Sequence, residues 1–420
     1  MKPVILSPGF GDERATATLY YGQDVRESLR LLPEASVHTV CTSPPYWGLR
    51  DYGTGDAQIG LEETPDEFVS ALVEVFREIK RVLRPDGTLW VNLGDSYAGG
   101  GGGNYGSGIS VSSHNTHPTS GKDKPSVPSG LKAKDLVGIP WRVAFALQAD
   151  GWYLRQDIIW AKSSCMPESV TDRCTKAHEY VFLFAHPDSG GRYFYDAEAV
   201  KEKPAGYFRE GGTAPTRDGL TTHGRGSNTL HQMSPTGRNK RSVWNVNPKP
   251  YLGSHFAVWP PDLVEPMIRA GTSERGCCPT CGKPWERIVE RNNPSKWAAD
   301  DDDRGWSNTH QTTSNAQSSK SLHRNGGGVA NTATTVGWQP ACVCGVGASV
   351  PCTVLDPFSG SATTGMVALR NGRNYIGIDL NPEYLPLAEA RLREDPAPRK
   401  IEEDPEREPD LFDLFGEGDR

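Results

Sequence analysis

The stretch Val354-Leu-Asp-Pro-Phe-Ser-Gly-Ser-Ala-Thr-Thr-Gly365, with Tyr375-Ile-Gly-Ile-Asp-Leu-Asn-Pro-Glu383 close behind it, limits the fold of this chain more than any other segment. An apolar run enters a turn of small residues. Met366 to Leu369 then reads as a helix stopped by Asn371-Gly372, and a second apolar run ends on Asp379. Strand, turn, helix, strand is half of a doubly wound α/β unit with a mostly parallel sheet. Such a unit binds nucleosides at the carboxyl ends of its strands, and Asp379 stands where a carboxylate takes a pair of ribose hydroxyls. The turn is not a phosphate loop, because it lacks a Gly-Lys-Ser/Thr ending and its glycines do not fit G-x-G-x-x-G.

Earlier in the chain, Thr18 to Asp24 predicts a strand ending in a turn, and Val25 to Leu32 a short helix. Ser36 to Thr42 predicts a further strand that delivers Ser43-Pro44-Pro45-Tyr46 at its carboxyl end, where an open parallel sheet places its chemistry. Thr64-Pro-Asp-Glu67 opens a helix with a capping box, and Phe68, Leu72, Val75, Phe76, Ile79 and Leu83 share its apolar face. Strands follow at Gly87 to Leu93, Tyr153 to Trp160 and Val181 to Phe184, with a helix at Pro140 to Leu147. Asp262 to Arg269 predicts another helix. Asn381 caps a last one, whose start is delayed or kinked by Pro386.

A chain of 420 residues with 36% hydrophobic content can bury a full core. No apolar run nears the roughly 20 residues of a membrane span and no signal-peptide layout is present, so the expectation is a cytoplasmic protein. The net charge of −7 is unevenly spread: acid dominates after Glu394, whereas residues 201–249 are basic, with Arg209, Arg217, Arg225, Arg238, Lys240 and Arg241. That basic segment shows no periodicity. It reads either as a solvated surface or as a region that contacts phosphates. A Gly-rich, Ser/Thr-rich run between Leu93 and Gly130 reads as an insertion unable to order by itself.

Nine cysteines in a reducing compartment point away from disulfides. Cys278-Pro-Thr-Cys281 and Cys342-Val-Cys344 flank a long polar stretch, and four thiolates in two close pairs suit a tetrahedral structural zinc. Cys277 is an alternative to Cys278 in the first pair. Catalytic zinc is not expected, since no His or carboxylate joins the set.

Taken together, Asp356-Pro357-Phe358-Ser359-Gly360 resembles the S-adenosyl-L-methionine motif of DNA amino-methyltransferases, and Ser43 to Tyr46 resembles their Ser/Asp-Pro-Pro-Tyr catalytic tetrapeptide. A catalytic segment ahead of the cofactor segment is similar to the circularly permuted beta group, the N4-cytosine/N6-adenine family. The resemblance implies a Rossmann-like fold and S-adenosyl-L-methionine as cofactor, bound by Asp24, Asp356 to Gly360 and Asp379, with Asp24 near the adenine. It also implies that Ser43 and the Pro44 carbonyl accept the amino hydrogens of a flipped base while Tyr46 stacks on it, and it puts His178, Glu179 and Tyr180 at the rim of the base pocket. Double-stranded DNA is the implied substrate, and a cognate restriction endonuclease an implied companion. Ser at the first position is similar to the cytosine-N4 subgroup, with adenine N6 as the alternative. RNA or protein amides, or a non-catalytic zinc-dependent DNA-binding role, stay open. The expected division is a catalytic half at 15–200 with a flexible insertion at 98–130, then a recognition region at 201–250 and a cofactor-side helix at 251–275. A zinc-knuckle insertion at 276–346, a cofactor-binding half at 347–395 and an acidic tail at 396–420 complete it. Ala362 stands where the family has Gly, which is costly if that backbone needs a positive φ.

Overall fold

The computed structural model describes residues 2–7, 10–48, 58–98, 127, 130–165, 168–202, 237–248, 258–292 and 332–394. In chain order the elements are β1 (Val4–Leu6), β2 (Ala17–Tyr21), α1 (Val25–Arg30), β3 (Val37–Thr42), α2 (Pro65–Val82), β4 (Leu83–Leu93), α3 (Ile139–Ala149), β5 (Tyr153–Ala161) and β6 (His178–Ala185). They continue with β7 (Val243–Asn245), α4 (Pro261–Gly271), β8 (Trp285–Asn292), β9 (Thr332–Pro340), β10 (Thr353–Asp356), α5 (Thr363–Arg370), β11 (Asn374–Asp379) and α6 (Leu385–Arg393).

Nine strands form one sheet in the order β1-β2-β11-β10-β3-β4-β6-β5-β7. The pairs from β2 to β4 are parallel, β6 runs against both β4 and β5, and β1 lies antiparallel on the edge. The order places β10 directly beside β3, with Val354 opposite Thr39 and Leu355 opposite Val40. Two segments some 300 residues apart in sequence therefore end at the same edge of the sheet.

Strand alternation divides the core into two faces. Trp90, Val181, Leu183 and Ile158 pack with Leu263, Met267 and Ile268 of α4 and Met366 to Leu369 of α5. Leu89, Val91, Phe182 and Phe184 pack on the other face with Leu29 of α1, Phe68 to Ile79 of α2 and Val143 to Leu147 of α3. The result is helix, sheet, helix, as the hydrophobic pattern of the sequence implies. The α2 capping box forms as its sequence demands: Glu67 N–H donates to Thr64 Oγ1 at 3.2 Å and Thr64 N–H to Glu67 Oε2 at 3.0 Å. Pro386 behaves as expected. A 3₁₀ turn over Pro382–Tyr384 precedes α6, which admits the proline in its first turn.

Three features go beyond the sequence reading. The basic segment was expected to lack regular structure, yet Val243–Asn245 adds a parallel edge strand beside β5. β1 adds a short strand at the other edge. Within the cysteine-flanked insertion, β8 and β9 form an antiparallel hairpin separate from the main sheet. The Gly-rich insertion, most of the basic segment, the polar stretch between β8 and β9, and the acidic tail lie outside the described residues. Among the described residues no helix is long and apolar enough to cross a membrane.

Candidate active site

β10 delivers Asp356 to the carboxyl edge, and burial in the sheet governs that side chain. Thr42 Oγ1 at the end of β3 donates to Asp356 Oδ1 at 2.8 Å, and Thr364 Oγ1 of α5 donates to Oδ2 at 2.6 Å. The Phe358 N–H adds a third bond at 3.1 Å. Burial nonetheless pushes the Asp356 carboxyl up to about 6, against the pull of those donors. Pro357 is buried and Phe358 half-buried on the turn that follows. Ser359 Oγ sits between two tyrosine hydroxyls, Tyr21 at 2.8 Å and Tyr375 at 2.7 Å, and Tyr21 also donates to the Gly360 carbonyl at 2.8 Å. Gly377 makes room for this stack, because a Cβ there would stand 2.8 Å from both Ser359 Oγ and the Tyr375 ring. At Ala362 the backbone is left-handed, with φ 59° and ψ 42°, and the residue is fully buried. Arg391 of α6 holds the turn from behind, donating to Ser361 Oγ at 3.0 Å and Thr363 Oγ1 at 2.9 Å.

Asp379 ends β11 beside the same turn. Its Oδ2 accepts from Gly360 N–H at 2.7 Å and its Oδ1 from Asn381 N–H at 2.9 Å, yet burial pushes it too up to about 6. Asp24 follows β2. Burial acts to raise its pKa, but Arg26 wins: the guanidinium lies 2.7 Å away, the Arg26 N–H also donates at 2.7 Å, and the carboxyl is held below its ordinary range. The Asp24 carboxylate thus caps α1, an engagement the sequence reading did not include.

Ser43 to Tyr46 leave the end of β3 next to this turn. The Tyr46 ring lies on Gly94, where a Cβ would come within 2.5 Å of it, so only glycine lets the ring settle there. Its hydroxyl donates to Glu179 Oε2 at 2.6 Å and approaches Asn92 Oδ1 at 3.2 Å. Ser43 Oγ donates to Asn92 Oδ1 at 3.1 Å. Asn92 Nδ2 in turn donates to Glu179 Oε2 at 3.2 Å and to the Tyr180 carbonyl at 3.0 Å. Lys162 closes the network by pairing with Glu179 Oε1, its ammonium 4.2 Å from the centre of the Trp160 ring. Burial raises the Glu179 carboxyl, but Lys162 and the two neutral donors, Tyr46 and Asn92, outweigh it and hold the group below its ordinary range.

Of the three residues placed at the rim by resemblance, Glu179 is buried and meets the tetrapeptide through the Tyr46 hydroxyl. The pleat sends its neighbours to the opposite face, where Tyr180 stacks on Phe182 and His178 meets Tyr180 edge-on. Asn92 and Lys162 were missed by the sequence reading. Asn92 had a signal of its own, a lone amide inside the apolar run Leu-Trp-Val-Asn-Leu. Lys162 follows β5 and has meaning only once β5 is known to pair with β6.

At the opposite edge of the sheet, the sulfurs of Cys278, Cys281, Cys342 and Cys344 lie within 4.8 Å of one another. Four sulfurs at 2.3 Å from one ion in a tetrahedron stand about 3.8 Å apart, so the set fits a zinc with small adjustments. Carbonyls of the first knuckle bind the starts of β4 and β3: Arg84 of β4 donates to Cys281 O at 2.8 Å, and His38 Nε2 of β3 lies 2.8 Å from Gly282 O. Cys277, Cys352 and His38 also cluster nearby, all buried. That trio does not fit a metal, because His38 Nδ1 accepts from Thr353 N–H at 3.0 Å while Nε2 faces Gly282 O, leaving no ring lone pair.

Comparison with known proteins follows the same lines. The DNA methylase family profile, covering N6 and N4 methyltransferases, matches residues 37–278 and 352–390. The chain is 38% identical over 378 residues to the type II methyltransferase M.Cfr9I of Citrobacter freundii, covering 90% of this chain and 88% of that one. It is 39% identical to M.XycI of Xanthomonas campestris pv. cyanopsidis over the same shares of both chains. Among solved structures, a PvuII cytosine-N4-specific DNA methyltransferase matches 90% of this chain and 87% of its own at 17% identity, with a TM-score of 0.47. The extent of the profile match and the full-length relatives make this chain a member of the DNA methylase family.

Proposed function

We propose that the chain transfers a methyl group from S-adenosyl-L-methionine to the exocyclic amino nitrogen of a base flipped out of duplex DNA, specifically cytosine N4. One observation carries the reading: the Ser43 to Tyr46 turn and the Asp356 to Gly360 turn end adjacent strands, joined by the Thr42–Asp356 hydrogen bond. Bound there, the cofactor would supply an electrophilic sulfonium methyl. An exocyclic amino group is a poor nucleophile while its lone pair is delocalised into the ring. Ser43 Oγ and the Pro44 carbonyl would accept its two hydrogens and turn the lone pair toward the methyl. Tyr46, fixed on Gly94 and through its hydroxyl, would offer a ring for stacking, and Pro45 would hold the turn. Asp379 would receive the ribose hydroxyls, with Asp24 nearby and Asp356 to Gly360 shaping the floor. A flipped base follows from the chemistry, because the target nitrogen is paired inside the duplex.

Ser rather than Asp at position 43 supports cytosine N4 by resemblance. The type II naming of the relatives supports duplex DNA as substrate and a restriction–modification setting with a cognate endonuclease. Cys278, Cys281, Cys342 and Cys344 would hold a structural zinc. Nucleoside mass spectrometry on DNA from cells expressing the chain or Ser43→Ala tests the reading. Expected is N4-methylcytosine that falls by about 10²-fold or more in the variant. N6-methyladenine would keep the chemistry and replace the base, whereas DNA without either modification would overturn the proposal.

A further inference from the structure

We infer that Asn92, oriented by the buried Glu179–Lys162 pair, fixes the Ser43 hydroxyl as an acceptor and thereby makes the site selective for an amino over a keto base; this rests on the function proposed above. The argument is one of hydrogen-bond polarity. An amide offers donors on one side and an acceptor on the other. Both partners of Asn92 Nδ2, the Tyr180 carbonyl and Glu179 Oε2, can only accept, the carbonyl by nature and the carboxylate because Lys162 pairs with its other oxygen. The amide therefore has one satisfied orientation. In it Oδ1 faces Ser43 and Tyr46, and it can only accept.

The Ser43 hydroxyl has one proton, and Asn92 Oδ1 draws it inward at 3.1 Å. Only lone pairs remain to face the base. An amino group meets them with a donor, whereas a keto oxygen in the same place would set lone pair against lone pair and be stripped of water without compensation. The whole chain is directional: Lys162 donates to Glu179, Glu179 accepts from Asn92, and Asn92 accepts from Ser43. Asn92 is about 1% exposed, Glu179 is also buried and Lys162 is mostly covered, so water is poorly placed to substitute at Asn92 and Glu179. Asn92 and Glu179 are thus positioning residues, acting on the base through Ser43.

The test has two arms on duplexes carrying the methylated sequence. In the first, the wild-type protein is offered the target base or its keto counterpart, uracil for cytosine or hypoxanthine for adenine. Preference for the amino form by about 10²-fold in affinity is expected, and equal affinity would overturn the inference. In the second, Asn92→Leu is measured alone and combined with Ser43→Ala in single turnover. Alone it should lower the methyl-transfer rate about 10- to 100-fold with cofactor affinity within about 2-fold. In the Ser43→Ala background it should change the rate less than about 2-fold, since the hydroxyl it orients is gone. Equal losses in both backgrounds would mean that Asn92 acts independently of Ser43. The first arm needs no variant, so a poorly folding Asn92→Leu leaves the idea exposed to disproof. A wild-type protein that methylates no base would fail the proposed function itself, while one that methylates an amino group yet tolerates the keto duplex would fail only this inference.

Discussion

Ala362 shows how one side chain can set the cost of the turn proposed to hold the cofactor. Its left-handed backbone costs an L-residue roughly 1–2 kcal/mol. Replacement by glycine would relieve that strain, but it would also remove a buried methyl worth about 0.8 kcal/mol and add roughly 0.5–1 kcal/mol of unfolded-state freedom. The terms nearly cancel, so Ala362→Gly should leave stability almost unchanged. Ala362→Val is the informative substitution. A β-branched side chain is poorly tolerated at positive φ, and the site is fully buried, so strain and overpacking act in the same direction. A loss of about 2–4 kcal/mol in chemical denaturation and weaker S-adenosyl-L-methionine binding in calorimetry are expected. Wild-type behaviour in both assays would show that the turn relaxes at no cost. The sequence already marked this position, because a small-residue turn is legible without coordinates. It could not reveal Arg391, which grips Ser361 and Thr363 on either side of the strained residue and comes from a helix nearly 30 positions away.

Between elements, the thiol cluster and the turns at Ser43 to Tyr46 and Asp356 to Gly360 lie at opposite ends of the same strands. Arg84 and His38 fasten the knuckle to the starts of β4 and β3, and an antiparallel bridge between Cys277 and Val350 fastens it just ahead of β10. Metal binding should therefore stabilise the sheet without touching the proposed base site. About one zinc per chain is expected by elemental analysis, and removal by a chelator or by Cys281→Ser should lower the melting temperature by several degrees. The residual folded enzyme should keep its Michaelis constant for S-adenosyl-L-methionine within about 2-fold. A chain that binds no zinc, or a constant that rises in step with metal loss, would contradict this placement. The elements also show where sequence reading ends. Long periodic segments such as α2, and strands that carry the motifs, were legible because their patterns are local. The β8–β9 hairpin was not, because a long polar stretch separates its two strands and the pairing partner was out of reach. β7 is three residues long, too short for any periodicity to emerge from the basic segment around it. The three adjacent residues His178, Glu179 and Tyr180 part company for a related reason: a strand alternates its side chains, so Glu179 meets Tyr46 while its neighbours turn to the opposite face.

The molecule as a whole gathers acid at one edge. Asp24, Asp356 and Asp379 come from the ends of β2, β10 and β11, drawn together by a sheet order that no local segment encodes. Burial raises Asp356 and Asp379 to about 6, above the usual carboxylate range, so the folded chain binds these two protons more tightly than the unfolded one does. Their contribution to stability is fully present below about pH 4 and is lost as pH rises through about 6. Glu179 and Asp24 act in the opposite sense. Both are held below their ordinary range, so their contribution is present above about pH 4.5 and lost on further acidification. The cofactor-free protein should therefore melt at a higher temperature at pH 5.5 than at pH 7.5, and Asp356→Asn should flatten that slope. Cofactor binding should follow the reverse trend. Ribose hydroxyls donate best to an ionised Asp379, so affinity for S-adenosyl-L-methionine should rise as pH passes through about 6, and Asp379→Asn should abolish the rise. Thermal melts and calorimetric titrations at the two pH values check both trends on one preparation. If stability and affinity moved together, the carboxylates would not be titrating in the cofactor site, and the ribose role proposed for Asp379 would have to be given up.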